Sequence, residues 1–172
     1  MAQREQDPAF LVEAYRALGG TLCHLGEFGA AQAHLEQGLT LYDVQRHRSH
    51  VFLYSMEPGV TGLSYAAWVL WQLGYPDQAL QKSGAARTLA QELSYPFTLA
   101  LARVFAAMLH QLRRERALAH KWAEAAITLA REQGSPVWLG QGAVLQGWAL
   151  AEQGQSEEGI RPRQETTYRK CD

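Results

Sequence analysis

Two histidines three residues apart, His47 and His50, are the nearest this chain comes to a metal-binding pair. On a helix that spacing offers two imidazoles to one ion. No third ligand lies nearby, and Arg46 and Arg48 would repel a cation, so the pair reads as a solvated polar face. A second cluster, His110 with Arg113, Arg114, Glu115 and Arg116, makes a basic turn. Such charge runs are mostly hydrated, although an acidic partner segment could use this one. Cys23 and Cys171 are the two cysteines, one in an apolar stretch and one beside the last residue, which supports neither a disulfide framework nor a zinc site. Cys23 reads as a small buried hydrophobe.

Enzyme signatures are missing. A phosphate-cradling GxxxxGK[ST] loop, a GxSxG nucleophile elbow and an HExxH zinc helix do not occur. Nor is there a suitable acidic pair on predicted strands. The expectation is a chain that is not an enzyme and needs no cofactor and no metal. Sixteen Lys and Arg balance seventeen Asp and Glu, for a formal net charge of −1, so no basic excess calls for nucleic acid or an anionic membrane. The first seven residues have no apolar core of a signal peptide, and no long apolar run is free of polar groups. The expectation is a soluble, cytoplasmic protein.

What remains is recognition, and the elements that would present it are helices. The stretch 63–93, LSYAAWVLWQLGYPDQALQKSGAARTLAQEL, has apolar positions three and four apart on both sides of a Gly74-Tyr75-Pro76 turn. Two helices joined so tightly must run antiparallel. The pattern returns. Ala123, Ala126, Leu129 and Ala130 fall over Ser83, Ala86, Leu89 and Ala90 at a shift of 40, while Gln111-Leu112 fall under Gln72-Leu73 at 39, which predicts a turn one residue longer. Gly154 and Trp148 each lie 80 residues after Gly74 and Trp68. A fixed period of this size marks a helical repeat array.

In order, Asp7-Pro8 opens a helix that stops at Gly26, and a partner helix follows Glu27-Phe28. Between Asp43 and Gly62 the rhythm breaks, because Gly74 follows Gly26 by 48 residues instead of about 40. That segment predicts a short extra helix, then an ordered loop ending in a Glu57-Pro58-Gly59 stop. Further helices are predicted over about 96–112, about 115–133 and from Ser135-Pro136 to Gly154. A last helix opens at Ser156 and breaks at Arg161-Pro162-Arg163, with a frayed tail over 161–172. The inner face of the last full helix should then show an uncovered apolar strip at Trp138, Leu145 and Trp148 and favour self-association.

Tyr15, Leu18-Gly19, Leu22, Gly26, Phe28, Ala31, Leu35, Gly38 and Leu39 resemble the tetratricopeptide (TPR) pattern W-x2-L-G-x2-Y-x3-G-x-Y-x2-A-x3-F-x2-A-L. Gly19, Ala31 and Gly38 are the small residues that let helices approach. More narrowly, the runs 25–43, 47–80, 96–115 and 145–160 resemble the helical region of bacterial signalling proteins. Those proteins carry an adenylate/guanylate cyclase-type head and an AAA- or STAND-like ATPase module. The likeness covers about 7–160. It departs at Ser55-Met56-Glu57 and from Arg161 onward, the second departure suggesting a piece of a longer parent. The resemblance implies an all-α, right-handed α-solenoid of about four antiparallel hairpins, the last incomplete. It also implies a groove lined by the first helix of each hairpin. Carried onto this sequence, the lining positions are Arg16 and His24; Ser64, Trp68, Trp71 and Gln72; Arg103, His110 and Gln111; and Trp148 and Glu152. Trp68 and Trp148 suit inter-repeat core equally well. The implied function is a non-catalytic protein-protein interaction and regulatory scaffold, with a protein or peptide partner that could include domains of its own parent. The alternatives are a small-ligand sensor using the groove and the 47–59 loop, or a remnant without an independent role.

Overall fold

The computed structural model describes residues 8–47 and 56–154. Among these residues it is all-helical, with eight α-helices and no strand. They are α1 (Pro8–His24), α2 (Phe28–Leu41), α3 (Val44–His47), α4 (Pro58–Gln72), α5 (Pro76–Leu93), α6 (Pro96–Leu112), α7 (Arg116–Glu132) and α8 (Pro136–Ala151). Five prolines open helices, at a position where the absent N–H is not needed and the fixed φ is already helical. None of these helices is long and apolar enough to cross a membrane.

The short turns force α1 against α2, α4 against α5 and α6 against α7, and α8 lies on α7. The first helices also touch in sequence order, α1 to α4, α4 to α6 and α6 to α8. The second helices are thin where they meet their neighbours. Ala79, Ala86 and Ala90 of α5, and Ala119, Ala123, Ala126 and Ala130 of α7, are all buried. These are the positions the 40-residue shift superimposes. Val60, Leu101 and Val104 fill the space between, each adding about 1.5–3 kcal/mol by leaving water. Glycine does the same work in the first hairpin, where a Cβ on Gly19 would lie 2.6 Å from Leu35 Cγ and one on Gly38 3.1 Å from Tyr15 Cβ.

The repeat is visible in the backbone of the turns. In one turn Leu73, Gly74 and Tyr75 donate to Val69, Trp71 and Leu70; in the next Arg113, Arg114 and Glu115 donate to Leu109, Gln111 and His110. Every bond is displaced by 40, so the predicted extra residue in the second turn does not exist. Gln111 matches Trp71, not Gln72. The misreading arose because Arg114 takes the left-handed φ of +59° where Gly74 has +86°. The turns between hairpins follow the same interval, with Ser94 at φ +56° and Gly134 at +63°.

Two expectations about helix ends need correction. Pro58 does not stop a helix; it starts α4, five residues before the predicted hairpin begins. Glu57 caps that helix, its Oε2 accepting from Val60 N at 2.7 Å. At the other end, Trp138 and Leu145 are buried and Trp148 is half-buried. The large apolar side chains that α8 shows to solvent are Val137 and Val144, 56% and 73% exposed. The short extra helix exists as α3. Residues 48–55 of the predicted loop, His50 among them, the helix at Ser156 and the tail 161–172 lie outside the described residues.

Candidate functional site

The first helices enclose a groove of about 640 Å³. It is built from four helices: His24 of α1, Tyr65 and Trp68 of α4, Phe105, Met108 and Gln111 of α6, and residues from Val137 to Leu145 of α8. Its floor is aromatic. Tyr65 and Phe105, one period apart, meet edge to face with ring centres 5.0 Å apart, and Trp68 meets Phe105 at 6.2 Å. His24 packs edge-on against Trp68 at 5.7 Å, and its Nε2 lies 3.3 Å from the Tyr65 hydroxyl. Aromatic pairs of this geometry hold one another's rotamers.

No Asp, Glu, Lys or Arg is among the described residues that line the groove. Burial raises the Tyr65 hydroxyl above the ordinary phenol range, so it is a neutral donor and acceptor at physiological pH. The indole N–H of Trp138 is buried in the wall and has no acceptor among the described residues. A buried donor in that state favours any ligand that brings an oxygen to it.

Of the residues expected in the groove, His24, Trp68 and Gln111 line it. The others are elsewhere. Arg16 is bound to Glu13 at 2.6 Å. Ser64 is 2% exposed and donates to Val60 O in its own helix. Trp71 packs on the Leu70, Ala79 and Leu109 cluster beneath the Arg113 guanidinium, whose carbon is 5.7 Å from the ring centre. Gln72 is exposed at the end of α4, and Trp148 is half-buried outside the lining. Arg103 lies on another face of α6, where its Nη1 donates to Ala125 O at 2.9 Å. Glu152 is 3.6 Å from Arg114 and 3.8 Å from Arg116, too loose to count for much.

His110 is also not in the groove, nor is its turn merely hydrated. It is 6% exposed, and its Nδ1 is 2.5 Å from Glu115 Oε2. Arg113 donates to the other carboxylate oxygen at 2.9 Å. That bond, reinforced by the one to His110, holds the Glu115 carboxyl below its usual range. His47 is likewise buried, stacked 5.5 Å from the Tyr42 ring, rather than on a wet face. Among the described residues no group of three or more His, Cys, Asp or Glu could hold a metal ion. Burial pushes the Cys23 thiol up to about 11, which leaves it protonated and inert at neutral pH.

Tyr65, Phe105, Met108 and Val144 were not singled out from the sequence. A signal was there: Tyr65 and Phe105 are 40 apart, and Trp68 and Met108 are 40 apart. The chain matches no protein-family model and no curated protein.

Proposed function

We propose that this chain is a non-catalytic interaction module, a right-handed α-solenoid of TPR-like hairpins that grips an apolar stretch of a protein or peptide partner in its groove. The observation that carries this reading is the uncharged aromatic cleft between the first helices, with the unpartnered Trp138 N–H in its wall. An extended peptide supplies apolar side chains for Trp68, Phe105 and Met108, and a shift of the Trp138 ring on binding would bring its indole N–H within reach of a backbone carbonyl. The narrower resemblance supports a place beside a signalling ATPase or nucleotide cyclase, the partner being a domain of the same parent protein in the cytoplasm.

The test is a peptide-display selection on the full chain, repeated with Val144→Glu. Val144 is 73% exposed, so the new carboxylate costs the fold little while charging the rim of the groove. Apolar and aromatic peptides should be enriched and should bind at least tenfold more weakly to the variant, a loss of about 1.4 kcal/mol. Equal binding to both proteins would remove the groove from the reading.

A second reading, a small-ligand sensor, is favoured by one observation: the groove's volume lies within the range of small-molecule sites. Thermal shift against nucleotides and metabolites separates the two, since a bound ligand raises the melting temperature by mass action.

A further inference from the structure

A second cavity, of about 300 Å³, opens on a different face of α6 from the groove: Leu99 and Arg103 line it, whereas Phe105 and Met108 line the groove. Arg87, Thr88 and Gln91 of α5 and Trp122 of α7 complete its wall. Two cations line it, and a third lies near its Trp122 wall, on a chain whose formal net charge is −1. The Arg87 guanidinium carbon is 4.2 Å from the centre of the Trp122 ring, Lys121 Nζ is 5.3 Å from the same centre, and Arg103 lines the cavity beside them.

Among the described residues the two arginines have no carboxylate bound to them. The field of Glu132 reaches Arg103, while the shift of Arg87 has burial as its cause. Burial lowers both guanidinium groups below their ordinary value. Two donors are also buried with no acceptor among the described residues, Arg87 Nε and Trp122 Nε1. Half-desolvated guanidinium groups that lack a carboxylate gain most from an oxyanion, whose geometry their planar forks match; the Trp122 ring beside Arg87 and the bond from Arg103 to Ala125 O leave both charges unbalanced.

We propose that this cavity is an oxyanion site that takes the carboxylate or phosphate of a small organic anion between Arg87 and Arg103. The Thr88 hydroxyl and Gln91 amide are the further polar groups of the wall, and Leu99 and the Trp122 ring are the apolar surface for the rest of the molecule. The inference does not depend on what fills the groove, because the two cavities share no lining residue.

The experiment titrates the full chain with succinate and with inorganic phosphate, each against chloride at matched ionic strength to remove screening. At least one probe should bind saturably and raise the melting temperature with concentration. Arg87→Gln and Arg103→Gln should each weaken that probe about tenfold or more, as loss of a charge-assisted bond does. Preference for succinate assigns a carboxylate ligand, and preference for phosphate assigns a phosphorylated one. Because both substitutions also touch packing, the unmodified protein supplies a second readout. The bound probe should slow phenylglyoxal modification at Arg87 and Arg103 and leave exposed Arg46 unchanged. Absence of any effect beyond chloride, protection equal at all three arginines, or unchanged affinity in both folded variants overturns the proposal.

Discussion

The turn of the second hairpin and the turn of the third share the three backbone bonds that close them and almost no chemistry. In the second, Leu70 is buried against Ala79 and Leu109, Gly74 takes the left-handed φ and Tyr75 is exposed. In the third, those places hold His110, Arg114 and Glu115, and a buried imidazole is held by a carboxylate that Arg113 also grips. The difference teaches that the repeat dictates backbone geometry and the need for burial. It leaves open whether burial is met by hydrocarbon or by a paired polar group. A polar solution works only as a set, since a buried polar group without its partner costs more than the pair contributes.

That contrast can be broken most severely by transplanting one member. Leu70→His puts an imidazole where the neighbour at 75 is Tyr, and it should cost about 3 kcal/mol, on the order of 10 °C in Tm. Adding Tyr75→Glu should restore part of the loss. Chemical denaturation of the single and double variants measures both, and full additivity would refute the idea of a set.

A smaller effect is expected at the left-handed position. Gly74→Ala should lose about 1 kcal/mol, and Arg114→Gly should gain about 0.5 kcal/mol as strain is relieved against a more flexible unfolded chain. Loss of stability in Arg114→Gly would show that the arginine side chain matters more than its φ. The smallest effect is in acid. Because the folded Glu115 pKa is lowered, its contribution is present above the unfolded value and is lost as pH falls through the carboxylate range. The melting temperature of Glu115→Gln should therefore fall less steeply than that of the wild type below about pH 4.5.

Much of the architecture was legible because small residues and turns recur in register. The alanines of α5 and α7, Gly19 and Gly38, and the breaks at Gly26 and Gly134 all carry the helix pairing. Three points were not legible for identifiable reasons. Proline both ends and begins helices, and only the capping carboxylate of Glu57 decides that Pro58 begins one. Arginine gives no hint of a positive φ, so Arg114 displaced the alignment by one. That single residue is worth about 100° around a helix, enough to exchange a groove position for a core position. Trp138 and Leu145 were expected in solvent for a different reason, a last hairpin cut short, whereas α6 and α7 already bury them. Of the candidate site, His24, Trp68 and Gln111 were found by position within the hairpin. Tyr65, Phe105 and Met108 needed the contact between successive first helices, which one hairpin alone does not show.

The joint between the first two hairpins sits apart from the 40-residue rhythm, and its geometry explains how the stacking survives there. Tyr42, at the end of α2, lies so close to Gly59 in the first turn of α4 that a Cβ on that glycine would be 2.5 Å from the ring. Burial, then a hydrogen bond to Glu57, raises the Tyr42 hydroxyl far above the ordinary phenol value, so it stays a neutral donor at physiological pH. This contact is a clasp that fastens one hairpin directly to the next. The register of these two hairpins is thus carried by a contact across the chain, from Tyr42 to Gly59, to which His47 of α3 adds its stacked ring.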